Sequence, residues 1–206
     1  MSSIASVRHV NVSEPYAGPV RDEPLAVELH NTLYASGGGL VDGLADRASC
    51  DAWLTALDRR LPPGGTRGDP RPAELIALRQ AVREALHSLL EGQLPPRTSI
   101  EAINRSSTRA PRAAIARWRR DAPPASGWDF GEASRADVVL SALAADAIDL
   151  VTGPNRASLR VCGAPGCVLA FVKRHPRREW CSTACGNRVR QARHYRRHAR
   201  GRQPLS

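Results

Sequence analysis

At 206 residues, with 42% hydrophobic and 24% charged residues, the chain suits one substantial core with a small appendage and is unlike a disordered polar tract. No apolar run approaches the ~18 residues of a spanning helix, and no signal-peptide order opens the sequence, so a cytoplasmic protein away from membranes is expected. Charge is lopsided: residues 1–155 carry 17 basic and 19 acidic groups, whereas residues 156–206 carry 13 basic groups and one acid, Glu179. Arg outnumbers Lys 29 to one, as a GC-rich genome would give, but compositional bias does not gather a net +12 at one end. A near-neutral body joined to a cationic end is the outline of a polyanion binder; a solubilising tail is the plainer alternative.

Residues 1–20 lack periodicity and include Pro15, Gly18 and Pro19, the signs of a loosely ordered N-terminus. Residues 25–33 alternate only in part and read as a short helix or a strand entering the core. After Gly37-Gly38-Gly39, residues 49–60 place Trp53, Ala56 and Leu57 on one helical face, until Pro62-Pro63-Gly64-Gly65 stops it. Between Pro72 and Gly92 the strongest helix carries Leu75, Leu78, Val82, Leu86, Leu89 and Leu90 at helical spacing. A shorter helix follows Pro95-Pro96, with Ile100 and Ile103 as its buried pair. Residues 114–120 and 128–130 read as two short strands around a turn at 121–127, with Trp118 and Trp128 as packing anchors. Ser134 and Asp137 have capping-box spacing, and the helix they open carries Ala136, Val139, Leu140, Leu143, Ala147, Leu150 and Val151. Gly153-Pro154 should end it, with Gly153 as a left-handed cap. The boundary falls near Asn155, and residues 1–155 are expected to own a separate core.

Four of the five cysteines lie within 24 positions: Cys162 and Cys167, then Cys181 and Cys185. Gly163, Pro165 and Gly166 let the first pair turn toward one ion, while the second pair, four residues apart at a helix start, shares a face. Zinc is the expected ligand, with two disulfides as the alternative in an oxidising compartment; iron–sulfur spacings differ. Four thiolates leave no open position, so this Zn2+ is structural. Residues 168–172 and 179–180 read as strands around a basic turn, giving the order knuckle, hairpin, helix of a treble clef. Cys50, with no catalytic partner in view, reads as a small buried apolar residue.

The segment from Trp180 through Cys181, Cys185, Gly186, Asn187 and Arg188, followed by a helix rich in Arg, His and Tyr, closely resembles the CGNR zinc-finger family. Residues 25–32, the Trp53 helix and the Leu-rich helix resemble the ABATE domain that precedes this finger in bacterial stress-response transcription regulators. The expected fold is α+β: a mainly helical N-terminal domain with a few short strands (residues 21–154), a treble-clef zinc finger (156–200) and a disordered tail (201–206). The resemblance implies a one-component DNA-binding regulator, not an enzyme, whose front domain senses a small-molecule effector or forms a homodimer.

On the last helix, at ~100° per residue, Cys185, Val189, Ala192, Tyr195 and Ala199 share an arc that should face the hairpin and metal. Arg190, Arg193, Arg197 and Arg200 fall on a neighbouring arc with Arg196 at its edge, a stripe suited to phosphates or guanine edges in the DNA major groove. Lys173 and Arg174, in the basic turn that runs to Arg178, offer a second phosphate contact. Asn187 and Arg188 lie close enough to the metal to hydrogen-bond a thiolate or the hairpin backbone. Glu28, Asn31 and Thr32 either line a pocket for the effector or form a polar cap on a buried segment. The remaining readings are an RNA- or ribosome-associated finger, a purely protein-binding finger, and a His-Asn-His-type nuclease using His175, Asn187 and His194, which would need a separate divalent-metal site although this tail has just one carboxylate side chain, Glu179.

Overall fold

The computed structural model describes residues 7–8, 16 and 18–200, with side chains at 16 and 18–197. Most of the expected loose N-terminus, and all of the 201–206 tail, lie outside the described residues. The fold is α+β, with six α-helices and seven short strands among the described residues. The segment that periodicity left open is helix and strand in succession: α1 (Leu25–His30) runs directly into β2 (Leu33–Ser36). Gly37 and Gly38, at φ 55° and 82°, turn the chain into β3 (Gly39–Asp42), and β1 (Val7–Arg8) adds to β3 in parallel, giving the order β1-β3-β2.

Asp46 caps α2 (Arg47–Ala56) by accepting a hydrogen bond from the Ser49 amide at 2.8 Å. Its buried face is Trp53, Leu54 and Leu57; Ala56 points to solvent. The central helix α3 (Pro72–Leu90) buries Leu75, Leu78, Val82 and Leu86, and Gly92 follows it at φ 71°. α4 (Arg97–Ser107) packs Ile103 inward beside α5 (Arg135–Thr152), whose first turn is capped by the Ser134 hydroxyl accepting from the Asp137 amide at 3.1 Å. Gly153 is not left-handed: at φ −87° and ψ 179° it is extended, and a Cβ there would meet the Asp149 carbonyl at 2.4 Å. Glycine is needed for close approach, as the chain passes at once into a 3-10 turn, Pro154–Ser158.

Two expectations about strands change. β4 (Ala113–Arg119) has the expected length one residue earlier, whereas β5 (Ala122–Asp129) is longer than expected and takes in most of the expected turn, leaving Arg120-Asp121 as the turn. Pro123-Pro124, which looks like turn sequence, sits in β5 at a bulge, where the register moves from Arg117 opposite Ala125 to Arg119 opposite Ala122. Trp118 and Trp128 are not packing anchors: they are 77% and 42% exposed on a ribbon that stands off the body.

In the C-terminal part, β6 (Leu159–Val161) pairs with β7 (Ala170–Val172), so the first cysteine pair lies in the turn of this hairpin. Residues 179–180 form no strand, because the pairing partner of β7 lies upstream of Cys162. Leu159, Ala170 and Val172 belong to the same buried cluster as Leu29, Leu75, Val82, Leu143 and Leu150. The front domain therefore does not own a separate core, since β6 and β7 complete it.

Candidate metal centre and nucleic-acid interface

The hairpin β6-β7 presents Cys162 and Cys167 from its turn, closed by the Cys162 amide donating to the Leu169 carbonyl at 2.8 Å. Cys181 and Cys185 come from the start of α6 (Thr183–Arg200), where the Ser182 hydroxyl accepts from the Cys185 amide at 3.2 Å. The four sulfurs lie within 4.8 Å of one another. Cys167 and Cys181 are 3.7 Å apart and Cys181 and Cys185 3.5 Å. Tetrahedral zinc with bonds of ~2.3 Å puts its sulfurs roughly 3.8 Å apart, whereas a disulfide requires ~2 Å. All four cysteines are free thiols, so the donor set fits structural zinc and not two disulfides. Hydrogen bonding from Cys181 lowers the pKa of Cys167, while burial raises that of Cys162. Cys50 behaves as expected: it is fully buried and donates weakly to the Leu44 carbonyl at 3.5 Å, and burial pushes its thiol up to about 12.

Each residue after Cys185 has a separate task. Gly186 leaves room for Trp180, whose Cδ1 would be 3.0 Å from an added Cβ. Asn187 accepts from Arg190 and bonds neither a thiolate nor the hairpin in the described contacts; Arg188 reaches the metal ligands instead, donating from Nη2 to Cys185 Sγ at 3.1 Å. That bond raises the Arg188 pKa and sets a cation against a centre whose four thiolates outweigh a divalent ion.

Hydrogen bonds and an ion pair tie this centre to the front domain. Among the described residues no third strand pairs with the outward edge of β7, and front-domain side chains take its place. Asn31 donates to the Ala170 carbonyl at 3.0 Å and accepts from the Ala170 amide at 2.9 Å, while Glu23 accepts from the Val172 amide at 3.0 Å. Glu23 also pairs with Arg178, which donates to the carbonyls of Val172 and Cys181, both at 3.1 Å, and covers the Phe171 ring at 4.8 Å. Arg178 is thus a buckle between domains, not part of the basic turn's free surface; Lys173 is half-buried and Arg174 exposed. Tyr34 and Val41 of the front sheet share a buried cluster with Cys162, Cys181, Cys185 and Val189.

Glu28, Asn31 and Thr32 are fully buried. Glu28 accepts from the Arg21 and Glu23 amides and from Arg60, and Thr32 donates to the Leu29 carbonyl at 2.7 Å and accepts from Arg79. All three are buried hydrogen-bonding groups, and Asn31 reaches the finger. Sequence reasoning did not single out Glu23 or Arg178, whose separation of 155 residues leaves no local signal.

The description "Putative stress-induced transcription regulator" belongs to the ABATE family, whose family model matches residues 23–154. The chain belongs to the ABATE family. Directly after that match, residues 158–198 fit the CGNR zinc finger. The ABATE domain thus contributes α1 to α5, and the CGNR finger contributes the metal centre and α6. Comparison with curated proteins finds no match. No described helix is long and apolar enough to cross a membrane.

Along α6 the CGNR finger packs Cys185 and Val189 inward and leaves Arg190, Arg193, Arg196 and Arg197 exposed. Tyr195, expected against the hairpin, is 73% exposed, because α6 continues past the finger body beyond Ala192. The side chains of Ala199 and Arg200 lie outside the described residues.

Proposed function

We propose that this protein is a DNA-binding transcription regulator of the ABATE family that makes its principal contact through the arginine face of α6, with zinc as a structural ion and no catalysed reaction. The supporting observation is that Arg190, Arg193, Arg196 and Arg197 are all exposed on a helix whose root is fixed by two zinc ligands. An 18-residue helix is about 27 Å long, enough to lie in a major groove about 12 Å wide, where arginines bind guanine edges or phosphates. Exposed Arg174 adds a flanking phosphate contact, with half-buried Lys173 beside it.

Crosslinking in cells followed by sequencing of co-purified nucleic acid tests the reading. Enrichment of a small set of promoter fragments is expected; enrichment of ribosomal RNA would replace DNA with RNA as the partner. Incubation with plasmid and magnesium should leave the plasmid intact.

A further inference from the structure

The ribbon β4-β5 is a long arm with no visible structural duty. Its base is held by the small buried cluster of Ala110, Phe130 and Val138, and by Arg109, which bridges Glu74 at 2.9 Å and Asp137 at 2.6 Å. Beyond that base neither strand gives a residue to any of the buried clusters, and every residue of β4 is exposed. Two strands alone bury too little to be stable in water, so such an arm is expected to find a partner. Strands of seven and eight residues project about 23 Å.

The tip carries Arg117, Arg119 and Arg120, all exposed, with Trp118 between them at 77% exposure. Trp118 and Ala114 share one side of β4, and Ala114 lies opposite Trp128, so both indoles occupy one face. The Trp128 ring is already covered by the Arg112 guanidinium at 4.5 Å, which leaves Trp118 as the uncovered ring. Pro123-Pro124 removes two amide donors from β5, which guards that strand against pairing with a strand of a second copy. Arg117 and Arg119 alternate to the face opposite Trp118, and Arg117 also donates to the Trp128 carbonyl at 3.2 Å; with Arg120, and against the single turn acid Asp121, they leave the tip cationic beside an open ring, which complements a polyanion with sugar and base surfaces.

We infer that the β4-β5 arm is a second nucleic-acid contact, with Arg117, Arg119 and Arg120 on phosphates and Trp118 packed on a sugar or base. The inference rests on the reading of α6 as a nucleic-acid helix, and its test separates the two. Binding of the full zinc-loaded chain to a fluorescent DNA duplex is measured across a salt series for wild type, for the triple variant R117A/R119A/R120A, for W118A and for the α6 variant R193A/R197A. The triple variant should shallow the log–log salt slope by about 2.7 and weaken binding roughly tenfold or more at fixed salt. W118A should weaken binding with the slope unchanged, and DNA should quench less tryptophan fluorescence in it than in wild type. An unchanged slope and affinity in the arm variants, with binding lost in R193A/R197A, would overturn the arm contact and leave the α6 reading standing. No salt-sensitive binding by wild type would overturn both. If the arm variants instead turn a sedimenting dimer into a monomer without changing DNA affinity, the arm belongs to a second copy and the inference fails.

Discussion

Asn31 acts as a two-residue strand edge compressed into one side chain: its carboxamide offers the donor and the acceptor that Ala170 would otherwise find on a neighbouring strand. Replacing it with Ala would strand two buried backbone groups, each worth about 1–3 kcal/mol. Asn31→Ala is therefore expected to lower stability by about 2–6 kcal/mol and to speed zinc release to a coloured chelator, although it lies outside the finger; unchanged release would contradict this. Because Asn31 Nδ2 donates to Ala170, its Oδ1 is an acceptor, and the neighbouring His30 must carry its proton on Nδ1, 3.0 Å away. His30 Nε2 then accepts from His87 at 3.1 Å. Burial first, and the charge of Arg83 second, lower the His30 pKa from 6.5 to about 3. A depressed folded-state value means that His30 contributes full stability above about pH 6.5, where the unfolded chain is also neutral, and loses that contribution as pH falls toward about 3. Ring resonances of His30 should stay fixed from pH 8 to pH 5; a shift with a midpoint near 6.5 would place the ring in water.

At the scale of elements, α6 holds two opposed tendencies. Its first turns are pinned by Cys185 and Val189, while residues 193–197 are exposed on every side and bring arginines together at spacings of three and four, where like charges repel. Arg193→Glu places an acid one turn ahead of Arg197, which favours the helix by a few tenths of a kcal/mol. The variant is expected to show more helix by circular dichroism and weaker DNA binding, a combination that a merely solubilising helix would not produce. α3 and α5 were legible in the sequence because their buried leucines and valines recur at a local period bounded by Pro72 and Ser134. The zinc ligands were legible because spacing and loop chemistry restrict them. Most of β5 is hidden in the sequence because Pro123-Pro124 is a turn signal unless a bulge accommodates it. The partner of β7 was misassigned because β6 lies on the far side of the first knuckle, and no local pattern reports such pairing.

For the whole molecule, the family boundary at residues 154–158 is not a boundary in packing. Leu159, Ala170 and Val172 fill the core of the ABATE domain, and Glu23, Asn31 and Arg178 join it to the metal centre. A fragment of residues 1–155 should consequently bind hydrophobic dye and unfold without a cooperative transition, and zinc removal from the full chain should lower the melting of both domains together. Retention of a sharp front-domain transition after chelation would show two independent units. Such coupling makes the direction of α6 a property of the entire fold.

The most direct measurement for the central claim is the salt dependence of DNA binding by the full zinc-loaded chain with arginines removed in pairs. Arg193 and Arg197 lie on α6, whereas Arg156 and Arg160 are exposed before the first knuckle and carry the same charge. If α6 makes the contact, R193A/R197A should shallow the log–log slope by about 1.8, at ~0.9 per phosphate, while R156A/R160A leaves it nearly unchanged. Equal losses in the two pairs would contradict the account and reduce the net +12 of residues 156–206 to a diffuse cationic tail.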